Sequence, residues 1–201
     1  MSLYAIVPVQ RLDVAKSRLA AVLSPVERRA LVLRLLDTVL PALAGSELVT
    51  ATIVVSPDPD ALEPAVARGA ILLRQVGSGL NAAIRQGRAV AREQGAEGLL
   101  VVLADLPFLT TPVVDDLLEA SASASVTLAP DRHGTGTNAL VLRPLDAIEP
   151  SFGTGSYQAH RAEAATRQQS VHTFHSRATA FDIDTPDDLR ALSEVLSAAR
   201  T

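Results

Sequence analysis

Three features of the 201-residue chain predict an α/β domain built on a single, mostly parallel, doubly wound sheet of the Rossmann-like kind. Short β-branched apolar runs alternate with longer stretches of helical periodicity. The central runs, such as Leu99-Leu100-Val101-Val102-Leu103, are apolar at every position, as strands buried on both faces must be. Charged and polar clusters follow those runs, at the carboxyl edge where such sheets bind ligands. The length is a little over that of one typical domain, and no linker, repeat or low-complexity tract divides it, so residues 1–201 read as one domain.

The elements follow in order. Leu3–Val9 is the first strand. Val26–Leu40 is helical, with Ala30, Leu33, Leu36, Val39 and Leu40 near one face, and Ser24-Pro25 supplies an N-cap followed by proline at the first helical position. The strand Ala51–Ser56, the helix Asp60–Arg68, the strand Ala70–Leu73 and the helix Leu80–Gln94 come next. After them come the strand Gly98–Ala104, the helix Pro112–Ser121 and the strands Ser125–Ala129 and Ala139–Leu142. The Gly-rich segment 131–157 breaks the rhythm before a helix at Ser156–Thr166. A strand at Ala178–Ile183 and a helix at Pro186–Ala199 finish the chain, with Thr185 as N-cap and Asp188 at the capping-box position. Strand–helix–strand repeats of this kind require parallel pairing and right-handed crossovers. His172 and His175, three apart on an edge strand, lie on opposite faces without carboxylate neighbours and read as surface residues.

Composition excludes several classes. Hydrophobic residues make up 48% and charged residues 20%, too apolar for a disordered chain. No apolar run approaches the roughly 18 residues of a membrane helix, and the N-terminus lacks a basic signal region, so a cytoplasmic protein is expected. The absence of cysteine removes disulfides and thiolate chemistry. A net charge of −4 and the absence of Trp argue against nucleic-acid partners. Of the 18 basic residues only Lys16 is lysine, which suggests a site needing a compact charge that arginine cannot imitate.

Four segments carry candidate chemistry. The turn after the first strand places Arg11, Lys16 and Arg18 near an expected helix N-terminus, an arrangement suited to a triphosphate although it lacks the glycines of known phosphate loops. Asp105, ending a buried strand before Leu106-Pro107, projects a hard oxygen ligand of the kind Mg²⁺ takes with phosphates. In Phe181-Asp182-Ile183-Asp184 the two carboxylates share one face of the expected strand; a bound cation and a solvated turn account for them equally well. Asp131-Arg132-His133-Gly134-Thr135-Gly136-Thr137-Asn138 and Phe152-Gly153-Thr154-Gly155-Ser156 offer backbone and hydroxyl donors to a second anion, with positive charge from Arg132, His160 and Arg161. Ahead of the third helix, Gly77-Ser78-Gly79-Leu80-Asn81 sets Gly79 in a turn and Asn81 where its amide either meets a base or ribose or caps the helix.

Taken together, these motifs resemble the guanylyltransferases of coenzyme F420 biosynthesis, which activate 2-phospho-L-lactate or phosphoenolpyruvate. The likeness runs through Val7-Pro8-Val9 to Leu19, Asp105-Leu106-Pro107, Asp131 to Thr137, Phe152-Gly153 to Ser156 with His160-Arg161, and Asp182 to Pro186. One departure is Gln10, where the family often has a basic residue. The resemblance implies a nucleotide-diphospho-sugar-transferase-like fold, GTP as donor, Mg²⁺, and a small phosphorylated carboxylic acid as acceptor. By motif position Thr137, Gly153 and Ser156 would hold the acceptor, Asp105, Asp182 and Asp184 the metal, and Arg11, Lys16, Arg18, Gly79 and Asn81 the nucleotide, with Lys16 and Asp105 catalytic. It further implies transfer of the product to the next enzyme of the pathway, and leaves a homodimer open. Phosphoenolpyruvate is the expected acceptor, with 2-phospho-L-lactate and 3-phosphoglycerate as alternatives. A molybdopterin or sugar-phosphate nucleotidyltransferase is a competing reading that the missing Gly-rich first loop disfavours; a silent nucleotide-binding module would have no use for the Asp trio.

Overall fold

The computed structural model describes residues 2–198. The strands are β1 (Leu3–Pro8), β2 (Ala51–Ser56), β3 (Ile71–Arg74), β4 (Gly98–Val102), β5 (Val126–Pro130), β6 (Thr137–Leu142) and β7 (Val171–Thr173). The helices are α1 (Pro25–Ala44), α2 (Pro59–Val66), α3 (Leu80–Glu93), α4 (Thr111–Ala120), α5 (Ser156–Thr166), α6 (Arg177–Ala180) and α7 (Pro186–Ala198). Ala199, the last residue of the expected final helix, lies outside the described residues.

All strands join one sheet in the order β3-β2-β1-β4-β6-β5-β7. Parallel pairing links β1 with β2 and β4, β2 with β3, and β5 with β7, whereas β6 runs antiparallel to both of its neighbours. The sheet is therefore mixed, with one reversed strand in an otherwise parallel frame. That reversal has a consequence for function: the first residues of β6, Thr137 and Asn138, lie at the edge where the other strands end.

The alternation of strand side chains explains why every position of β1 and β4 is apolar. Leu3, Ala5 and Val7 pack with α1 and α4 on one face, while Tyr4 and Ile6 pack with α3 on the other. Each of the fully buried Leu and Ile side chains contributes about 1.5–3 kcal/mol relative to exposure.

Helix α1 starts as expected, and its Ser24–Glu27 capping box is complete: Glu27 N–H donates to Ser24 Oγ, and Ser24 N–H donates to Glu27 Oε2 at 2.8 Å. The helix runs past Pro41 to Ala44 because buried Ala42 and Leu43 hold the last turn despite the missing N–H.

Two expectations need correction. No helix follows β1 directly: Ser17–Leu19 is a single 3-10 turn, so no α-helix dipole stands behind Lys16. Nor is Ala178–Ile183 a strand. The Ser176 hydroxyl accepts from Ala178 N–H and caps the short α6, and the chain then runs extended into α7. The seventh strand is instead Val171–Thr173, at the sheet edge.

Candidate functional site

The carboxyl edge of the sheet collects the turn after β1, the turn after β4, the β5–β6 loop, the start of α3 and the segment 181–188. Lys16 sits at its centre. Its backbone is left-handed (φ 54°, ψ 38°), a conformation that costs a residue with a Cβ about 1 kcal/mol. That bend turns the side chain inward, and Nζ donates to Asp105 Oδ2 at 2.6 Å and to Asp184 Oδ1 at 2.9 Å. Burial alone would lower the pKa of the ammonium, but attraction to Asp105 and Asp184 and hydrogen bonds to both outweigh it and raise the pKa. Lys16 is therefore fully charged at neutral pH.

One carboxylate oxygen from each of Asp105, Asp182 and Asp184 falls within a group no wider than 4.8 Å. Burial, reinforced by the charge of Asp105, raises the pKa of Asp182. Asp105 Oδ1 is buried without any hydrogen-bond partner, a cost a protein rarely sustains unless a ligand completes the site. Three hard oxygen donors with one of them orphaned fit a Mg²⁺ ion. The carboxylates converge although the stretch holding two of them is not a strand. Asp182 is held by Asn138 Nδ2, which donates to its Oδ1 at 3.3 Å. Arg132 fixes the same segment: it donates to the Asp182 carbonyl at 2.6 Å, pairs with Asp188 at 2.9 Å, and lies 4.3 Å above the Phe181 ring. Asp188 in turn accepts from the N–H groups of Asp184 and Thr185 at 2.8 and 2.7 Å, which completes the cap of α7.

Lys16 itself lines a cavity of about 230 Å³ together with Asp105 and Asp184, and two larger cavities adjoin it, sharing Gln10 and Leu80 with it. One, of about 510 Å³, lies between the turn after β1 and the start of α3, and includes Arg11, Gln75, Ser78 and Gly79. The other, of about 530 Å³, is lined by Arg18, Asp105, Asp182, Asp184, Thr137, Gly153 and Ser156 among others. Gln10 and Leu80 line both. The basic residues after β1 are thus divided. Arg11 faces the first cavity, with its guanidinium paired to Asp13 at 2.5 Å, whereas Arg18 belongs to the second, 3.7 Å from Asp184.

The second cavity owes its walls to local anchors. Asp131 Oδ1 accepts from the N–H groups of His133 and Thr135 at 3.1 and 2.8 Å and so shapes the β5–β6 loop. A Cβ on Gly136 would stand 2.8 Å from Asp131 Oδ2, so a larger residue there would displace the carboxylate that shapes the loop. Gly155, at φ 75°, turns the chain into α5 and brings Ser156 to the helix start, as the sequence suggested. Opposite, residues 144–152 run back along α3 and are pinned by three side chains on one helical face. Arg92 pairs with Asp146, Arg88 pairs with Glu149, and Asn81 takes both the N–H and the carbonyl of Phe152, at 2.8 and 2.9 Å.

Asn81 is therefore a loop anchor rather than a helix cap, with one amide N–H and one carbonyl lone pair committed to Phe152. The expectation of positive charge from His160 and Arg161 also fails. His160 is fully buried, and burial lowers its pKa to about 4, so the ring is neutral; Arg161 is exposed and lies against Tyr157. Sequence reasoning missed Arg132 as a clamp and Asn138 as a carboxylate partner; the only available signal was their position beside the strand ends. Among the described residues no helix is long and apolar enough to cross a membrane.

Comparisons with known proteins identify the family and the fold. Residues 3–196 match the family model described as guanylyl transferase CofC like. The phosphoenolpyruvate guanylyltransferase of Sphaerobacter thermophilus is 54% identical over 96% of this chain and 93% of its own. The 2-phospho-L-lactate guanylyltransferase of Methanothermobacter thermautotrophicus is 36% identical over 94% of this chain and 83% of its own. Among solved structures, a candidate nucleotide-diphospho-sugar transferase from Desulfovibrio desulfuricans superimposes with a TM-score of 0.77 at 18% identity, covering 97% of this chain and 88% of that one. At that identity the likeness concerns the fold.

Proposed function

Since the chain belongs to the CofC-like guanylyl transferase family, we propose that it joins GMP from GTP to phosphoenolpyruvate with release of pyrophosphate, as a step of coenzyme F420 biosynthesis. The observation that carries this reading is the Asp105–Asp182–Asp184 group beside Lys16, in the lining of the cavity that also holds Thr137, Gly153 and Ser156, with the cavity of Arg11 and Gly79 adjoining it through Gln10 and Leu80.

The chemistry needs little from the protein beyond charge and alignment. A phosphate monoester has a second pKa of about 6, so the acceptor arrives as a nucleophile and needs no general base. His160, buried with both ring nitrogens engaged and its pKa lowered to about 4, is unsuited to that task in any case. The obstacle is the meeting of two anions. Mg²⁺ held by Asp105, Asp182 and Asp184 would neutralise the α-phosphate. Thr137 at the start of β6, with Gly153 and Ser156 at the start of α5, would receive the acceptor through hydroxyl and backbone donors. Lys16, released from Asp105 and Asp184 as the nucleotide enters, would stabilise charge building on the leaving pyrophosphate. Gly79 and Arg11 line the nucleotide side, and Arg18 moves to the acceptor side of the assignment. The acceptor oxygen attacks the α-phosphorus, the α–β bridge bond breaks, and a guanosine diphosphate diester of the acid passes to the next transferase.

Phosphoenolpyruvate is chosen over 2-phospho-L-lactate because the 54% identical relative carries the former name and the 36% identical one the latter. Pyrophosphate release from GTP and Mg²⁺ with phosphoenolpyruvate, 2-phospho-L-lactate or 3-phosphoglycerate tests the proposal. Fastest release with phosphoenolpyruvate is expected, and no release with any of the three would refute it.

A further inference from the structure

His160 takes no part in the chemistry described above, yet it is fully buried one layer behind the acceptor cavity and bonded through both ring nitrogens. The backbone N–H of Ser151 donates to Nε2 at 2.9 Å, so Nε2 carries a lone pair. In a neutral ring the proton then resides on Nδ1. Nδ1 lies 3.1 Å from Thr137 Oγ1, and its N–H must donate to that oxygen. The reverse arrangement, Thr137 donating to Nδ1, would require a ring with no proton at all. The hydroxyl hydrogen of Thr137 is consequently unused toward His160 and free for the cavity that Thr137 lines.

We infer that His160 is a positioning residue for the phosphorylated acid: it fixes the Thr137 hydroxyl as a donor toward the acceptor anion and holds the chain entering Gly153 through Ser151. The inference rests on the placing of the acceptor beside Thr137, Gly153 and Ser156. The same ring stands edge-on to Phe152, with centroids 5.1 Å apart, and Asn81 grips Phe152 from the other side. One buried imidazole therefore ties two of the three acceptor-binding positions together. Its lowered pKa, about 4, keeps this pattern of donors constant across the neutral range.

The test is a double-mutant cycle of Thr137→Val and His160→Gln. Gln keeps an acceptor for Ser151 but lacks the rigid ring that sets a second nitrogen's N–H against Thr137 Oγ1. Each single variant is expected to raise the KM for the acceptor roughly 10–100-fold, as loss of a hydrogen bond to a charged group implies, with the KM for GTP within about twofold of wild type. Because His160 acts through the Thr137 hydroxyl, the double variant should be no worse than Thr137→Val alone. Multiplying effects, or equal rises in KM for GTP and acceptor, would overturn the inference while leaving the proposed function intact. Wild-type protein inactive with every acid would overturn both. Should His160→Gln not fold, ¹⁵N chemical shifts of the wild-type imidazole decide: a protonated Nδ1 is expected, and an Nε2–H tautomer would refute the inference.

Discussion

Replacing Asp105 with Asn separates catalysis from folding. Asp105 Oδ2 lies 2.6 Å from Lys16 Nζ, an attraction of roughly 6 kcal/mol before solvation at an effective dielectric constant of about 20. Against it stand the repulsions from Asp182 and Asp184, whose oxygens lie within 4.8 Å and each oppose Asp105 by about 3 kcal/mol on the same scale, less for the more exposed Asp184. The two sides nearly cancel. The Asn carbonyl still accepts from Lys16, which also keeps Asp184, and the Asn amide replaces the orphaned oxygen with a donor facing carboxylates. Stability should therefore change by no more than about 1–2 kcal/mol, or a few degrees of unfolding midpoint for a chain of this size. Activity should collapse: losing one metal-holding charge removes several kcal/mol of transition-state stabilisation, roughly a thousandfold in kcat. Pyrophosphate release and thermal unfolding by circular dichroism measure the two quantities. A variant within tenfold of wild-type activity, or one unfolding more than about 8 °C earlier, would show Asp105 to be a structural ion-pair partner.

Other substitutions probe neighbouring features. Lys16→Ala and Lys16→Gly should both lose at least about a hundredfold in kcat/KM for GTP, and the Gly variant should unfold a few degrees higher because it relieves the left-handed backbone at φ 54° by about 1 kcal/mol; equal midpoints would remove the strain. For His160, the folded pKa of about 4 lies below the unfolded value near 6.5, so the unfolded state gains the proton first as pH falls. Stability is complete above pH 6.5 and declines toward pH 4, by at most about 3 kcal/mol, and urea unfolding across that range should show the loss in wild type but not in His160→Gln; parallel curves would contradict burial of the neutral ring. Asn81→Asp keeps the acceptor for Phe152 N–H but sets a carboxylate against the Phe152 carbonyl, so a loss of about 1–3 kcal/mol in urea unfolding and a raised acceptor KM are expected; an unchanged KM would dissociate the loop from the acceptor.

The sheet was legible because its central strands are apolar on both faces, and the capped starts of α1 and α7 because Ser24-Pro25 and Thr185-Pro186 carry a local code. Asp105 was legible as the carboxylate that follows the apolar run, although β4 ends at Val102 and Asp105 lies in the turn beyond it. Direction of pairing was not legible, since the apolar runs of β5 and β6 read alike whether parallel or antiparallel. Convergence of Asp182 and Asp184 was anticipated from alternation on a strand that does not exist. What brings them in is tertiary, through Arg132, Asn138 and Asp188. The same limit applies to Asn81 and His160. Their residue types suggested ligand contact, and only the course of residues 144–152 along α3 reveals that they serve the backbone and Thr137 instead.

A crystal soaked with GTP and Mn²⁺ provides the most direct measurement, through the anomalous signal of the metal. One manganese peak or a close pair bonded to Asp105, Asp182 and Asp184, with the α-phosphate beside it and the base toward Gly79, is the expected result. Manganese bound elsewhere, or nucleotide bound while Lys16 remains paired with Asp105 and Asp184 and no metal joins them, would contradict the account.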